Sequence, residues 1–219
     1  MDSKPFAISD VKTGELNALV KNIMKQTGVD DPNEAIRLVN SGEVQFTKPV
    51  SPWIEKDGLI LFEVTSDGKT GEEWINHFDA KGIKIGDYAK GIIRSSAFKP
   101  TNGVVYKVAV MKGELFSDDD RISDKIRKEA DKRKLKTPPV ELVCLIRDKF
   151  SDEEIKKMGF LWIIVFHKPI KDSGGDPILL GAFANDSKPW LNAYHDSPGF
   201  RWDRKDGFAF LVSQGKAQN

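Results

Sequence analysis

Two of the three histidines in this chain close apolar runs, His167 in "FLWIIVFHKPI" and His195 in "WLNAYHDSPG". Aspartates crowd the turns that follow: Asp172 and Asp176 after the first, Asp196 directly after the second. Two imidazoles and nearby carboxylates are the donor set of a zinc or non-haem iron site, and equally of an acid–base pair. A metal-assisted or acid–base hydrolase would use His167 and His195 with Asp172, Asp176 or Asp196. No HxH, HExxH or CxxC spacing fixes that geometry, and Asp beside Gly and Pro is also ordinary turn chemistry. His77, in "WINHFDAKG", reads as a structural or solvated helix residue. Cys144, in "VELVCLI", reads as a buried, inert thiol. No GxSxG elbow is present.

Gly68-Lys69-Thr70 stands between an apolar strand and an amphipathic helix, the outline of a phosphate-binding loop. The first glycine of that loop would fall on residue 63, which is Glu63. Asp67-Gly68 instead makes a turn, and Thr70 with Glu73 makes a capping box for the helix that follows. The segment predicts a capped helix start.

Two stretches are locally basic. Lys84, Lys90, Arg94, Lys99 and Lys107 face Asp87 alone, and Arg127, Lys128 and Arg133 belong to a second run over 121–136. The first follows a helix–short link–helix outline loosely similar to helix-turn-helix. If both serve nucleic acid they should merge into one positive surface; otherwise the second simply complements a helix dipole behind Asp118, Asp119 and Asp120. Aromatic residues are dense in the last third of the chain. Trp190, Tyr194 and Trp202 could stack a sugar, a base or another small ligand, and Trp202, between Arg201 and Asp203, is expected to be partly exposed.

The composition bounds these ideas. Over 219 residues, 34 basic and 33 acidic side chains leave a formal charge of +1, so steering of the whole protein toward nucleic acid or an anionic membrane is not expected. Hydrophobic residues make up 39 % and charged ones 31 %, enough apolar content for a true core. One cysteine excludes a disulfide within the chain and makes a cytoplasmic location the expectation. The polar "MDSKPFAISD" lacks a secretory apolar region, and the longest apolar run, "FLWIIVF", is too short to span a bilayer, so no membrane association is expected.

The elements that must position these residues alternate between helical and strand periods. Helices are predicted over 14–26, 30–42, 71–81, from Asp87, over 118–135 and directly after Ser151; residues 140–149 read as helix or strand, with helix preferred. Strands are predicted over 59–65, 103–113, 161–167, 178–184, 190–195 and 207–213. The expected fold is α+β: a mostly antiparallel sheet with helices packed on one side, preceded by an N-terminal helical pair. Its segments would be a helical hairpin at 1–46, an α/β segment at 47–137 and a helical pair with antiparallel strands at 138–219, with Pro138-Pro139 as a boundary, or all of these in one domain.

The runs "WINHFDAKGIKIGDYAKGIIRS", "GFLWIIVFHKPI", "NAYHDSPGFRW" and "GFAFLVSQ" resemble a set of similarly sized, uncharacterised bacterial proteins. The likeness implies a bacterial or phage-like origin and transfers no activity. The expectation is therefore a binding protein without catalysis, with nucleic acid ahead of a protein partner. The hydrolase and the carbohydrate or small-ligand module are the alternatives. No cofactor and no metal is assigned from the sequence.

Overall fold

The computed structural model describes residues 13–44, 51–172, 174–184 and 189–213. The polar N-terminal stretch, residues 47–50 of the connector and the turn at 185–188 lie outside the described residues. The chain forms two units, Met1–Ser51 and Pro52–Asn219. In the first, α1 (Thr13–Thr27) and α2 (Pro32–Asn40) are in contact. The Asp31 carboxylate accepts from the Asn33 amide at 2.9 Å, with Pro32 in the first turn, where its missing N–H costs nothing.

The second unit is built on one sheet in the order β1 (Ile54–Lys56), β2 (Leu59–Asp67), β4 (Asn102–Lys112), β9 (Asp206–Val212), β6 (Trp162–Lys171), β7 (Pro177–Phe183), β8 (Trp190–His195) and β3 (Lys84–Ile85), with β5 (Leu135–Lys136) paired to β9. Among the described residues, only β6 with β9 and β3 with β8 run parallel. Strands from both sides of Pro138-Pro139 therefore share a sheet.

Side-chain alternation sends Val108 and Val110 to one face of β4, and Ala109 and Met111 to the other. The first face is covered by α3 (Gly71–Ala80), α4 (Asp87–Arg94), α6 (Leu142–Lys149) and α7 (Asp152–Lys157), through Trp74, Phe78, Ile92, Ile146 and Ile155. The second face is covered by α5 (Ser123–Lys132), whose Ile126 and Ala130 pack with Met111, Phe166, Phe208 and Phe210. Helices thus lie on both faces, which corrects the expectation of one. A strand apolar at every position, such as residues 163–166, needs cover on both sides.

The helix predicted over 118–135 begins only at Ser123. Arg121 is buried and donates to the Gly113 and Trp202 carbonyls, and Ile122 bridges to Arg201, so these residues are already committed to extended pairing. Among the described residues no helix is long and apolar enough to cross a membrane.

Gly68-Lys69-Thr70 is a helix start. The Glu73 amide donates to Thr70 Oγ1 at 3.3 Å, and the Thr70 amide donates to Glu73 Oε2 at 2.8 Å. Lys69 pairs with Asp67 and sits 4.9 Å from the Trp74 ring. The next residue, Gly71, lets α3 meet α4: a Cβ there would collide with the Ile93 carbonyl. Gly71→Ala should lower stability by about 1–3 kcal/mol in urea unfolding, the usual cost of overpacking, and a neutral result would contradict this packing.

Candidate functional site

The hairpin between β6 and β7 is tied by its own aspartate. Asp172 Oδ1 accepts from the Gly174 and Asp176 amides at 2.8 and 2.9 Å, while Gly175 takes φ +90°. On the far side of β7, His195 stands opposite Ile178, and the Asp196 amide donates to the Pro177 carbonyl at 2.7 Å. The end of β8 is thereby held beside the hairpin. Asp172, Asp176 and His195 each bring a ligand atom within 4.8 Å of the others, with His195 Nδ1 4.0 Å from Asp176 Oδ2. Their donors are two carboxylates and one imidazole, a set that suits Mn, Fe or Zn with water in the remaining positions. The side chains of His195 and Asp176 are 55 % and 64 % exposed, so they can close on an ion with little desolvation cost.

Asp172 also belongs to a cleft of about 410 Å³ between α4 and the end of β6. Tyr88, Ile92 and Ile170 give the cleft an apolar lining, and Asp87 stands with Asp172 on its wall. Neither Asp87 nor Tyr88 stands out by residue type or spacing; the path of α4 across the sheet brings them there.

His167 is not part of this group. Strand β6 runs on to Lys171, so His167 is interior to the strand and 1 % exposed. Pairing of β6 with β7 shifts register between Val165 and Ile170, and the imidazole fills that gap. Its Nε2 accepts from the Leu180 amide at 3.1 Å, which leaves Nδ1 to donate to the Lys168 carbonyl at 2.8 Å. Burial pushes its pKa down to about 4. Asp196 is also structural. Its carboxylate accepts from the Ser123 hydroxyl and from Arg127 Nη2 at 3.1 Å, clipping β8 to α5.

The basic stretches do not merge, because α4 and α5 lie on opposite faces of the sheet. Most of their arginines are already engaged. Arg94 grips Glu72 at 2.7 and 3.0 Å, and Arg133 donates to Glu129 and to the Asp57 carbonyl. Arg127 is held by Asp196 and lies 4.9 Å from the Phe166 ring. Lys99 lines a shallow depression beside Pro138, and Lys128 is exposed on α5. The link between α3 and α4 is strand β3, and α4 buries Ala89, Ile92 and Ile93, so no helix-turn-helix is present there.

Trp202, expected to be partly exposed, is 2 % exposed. It packs on Phe200 and Tyr194, and its Nε1 donates to Ser123 Oγ at 3.0 Å, because the bridge from Ile122 to Arg201 folds the loop back. Tyr194 is half-buried, with its hydroxyl enclosed and without a hydrogen-bond partner among the described residues. Asp206 is 5 % exposed, and its Oδ1 likewise has none. Burial raises the Asp206 pKa to about 7, although its Oδ2 accepts from the Asp203 amide at 2.8 Å. Trp190 remains half-buried. Register pairs place Asp206, Trp162, Phe183, Trp190 and Lys84 in one row across β9, β6, β7, β8 and β3.

Set against family models, curated proteins and solved structures, the chain matches none.

Proposed function

We propose that the second unit binds a divalent cation through Asp172, Asp176 and His195, and that this ion anchors a small ligand lying in the adjoining cleft. The convergence of three donors from two separate segments carries the reading. Asp172 belongs to both features, so an ion held there faces the cleft. Three protein donors leave coordination positions for a ligand oxygen and for water, and a metal-bound water is the nucleophile of metal-assisted hydrolysis. Tyr88, Ile92 and Ile170 would take the apolar part of the ligand. The buried free thiol of Cys144 fits a reducing, cytoplasmic setting.

Calorimetric titration with Mn²⁺ and Zn²⁺ tests this. One equivalent should bind with a dissociation constant of about 10 μM or tighter, the affinity should fall on acidification as protons compete for the imidazole, and Asp176→Asn or His195→Ala should weaken binding by roughly 10-fold or more. Binding that is only millimolar, or unchanged in both variants, would remove the proposal.

A further inference from the structure

We propose a second binding site, distinct from the cation group, in which Trp190, Lys84 and Lys90 hold a phosphorylated nucleoside. Lys84 and Trp190 are direct partners in the parallel pairing of β3 with β8, so their side chains rise from the same face at the sheet's edge. Lys84 Nζ stands 5.2 Å from the Trp190 ring centroid. A groove of about 370 Å³ continues from these two residues to Lys90 on α4, with Asp79 of α3 on its rim.

Two features separate this groove from the rest of the basic and aromatic surface. Trp162 is already stacked on Phe183 at 3.9 Å, whereas Trp190, although paired in register with Phe183, makes no ring–ring contact among the described residues. The arginines at 94, 127 and 133 are tied to carboxylates, whereas Lys84 and Lys90 form no ion pair among the described residues. An indole covered by the Lys84 ammonium and beside Lys90 matches a ligand that joins a flat ring to an anion: the base takes the ring face and the displaced ammonium meets the phosphate. The base lies on Trp190 and the phosphate reaches Lys84 and Lys90, while the Asp79 carboxylate can accept from a ribose hydroxyl or an exocyclic amine. The volume fits one nucleotide, free or as a unit of a single strand.

The test is fluorescence anisotropy with a labelled mononucleotide and a labelled short single-stranded oligonucleotide, at low and high salt with a chelator present throughout. The chelator makes the outcome independent of the cation site. Binding of both probes assigns the site to nucleotides at large, and binding of the oligonucleotide alone assigns it to single strands. In either case Trp190→Ala should weaken binding by roughly 5- to 150-fold, the worth of one stacked base, and the double variant Lys84→Ser/Lys90→Ser should flatten the salt dependence while leaving the indole in place. Unchanged thermal unfolding of the lysine double variant separates lost contacts from lost structure. No binding of either probe at low salt, or equal binding by wild type and both variants, would overturn the assignment.

Discussion

Replacing Asp206 with Asn should stabilise the protein above neutral pH and do little for it near pH 5. The folded pKa of about 7 lies well above the ~3.9 of an unfolded aspartate, so between those values the native state holds a proton that the unfolded chain has released. Stability therefore falls as pH rises through this window. By pH 8 the whole penalty is present, on the order of 4 kcal/mol at 1.36 kcal/mol per unit. Asn keeps an acceptor for the Asp203 amide and removes the charge, but it leaves a buried amide group unpaired at a cost of about 1–3 kcal/mol. The net gain at pH 8 should be about 1–3 kcal/mol. Urea unfolding at both pH values checks this. A gain that is the same at pH 5 and pH 8 would show that Asp206 does not titrate as its surroundings require.

Truncating His167 to Ala should cost about 2–4 kcal/mol at neutral pH. The loss combines an unpaired Leu180 amide with a small cavity in a fully buried strand. His167→Gln, which can still offer an acceptor, should cost less. The pH dependence gives a second signature. A histidine whose folded pKa is lowered to about 4, against ~6.5 unfolded, destabilises the fold as pH falls through that interval. Asp206 acts with the opposite sign over almost the same range, so the wild type should show a nearly flat profile between the two. His167→Ala should expose the Asp206 slope, gaining stability on acidification, and Asp206→Asn should expose the histidine slope, losing it. Parallel profiles for wild type and both variants would contradict the two buried environments.

Local structure was legible wherever one residue carries the instruction. Thr70 with Glu73 writes a helix start in the side chain that caps it, and that capping box is present; Ser151 with Glu154 and Asp31 with Pro32 open their helices by the same chemistry. What could not be read was anything fixed by register. "FLWIIVFHKPI" looks like a strand ending at its histidine, yet β6 continues to Lys171, and that moves His167 from an edge to the interior. The irregular pairing of β6 with β7 then decides which polar groups sit beside His195. The residue types of the proposed cation group were therefore visible, while its membership was not. Trp202 was misplaced for a similar reason: its neighbours in sequence are charged, but Arg121, 81 positions away, donates to its carbonyl and holds the loop inward. A sheet covered on both faces was foreshadowed by the unbroken apolar letters at 162–166 of β6 and 207–212 of β9, a stronger cue than the sparse apolar stripe of α5.

The proposed cation site of Asp172, Asp176 and His195 can be read directly by anomalous diffraction from crystals soaked in Mn²⁺. One peak is expected at about 2.0–2.4 Å from carboxylate oxygens of Asp172 and Asp176 and from His195 Nδ1, facing Tyr88 across the cleft. Crystals that diffract well and show no anomalous density there, or density only at unrelated surface carboxylates, would contradict it.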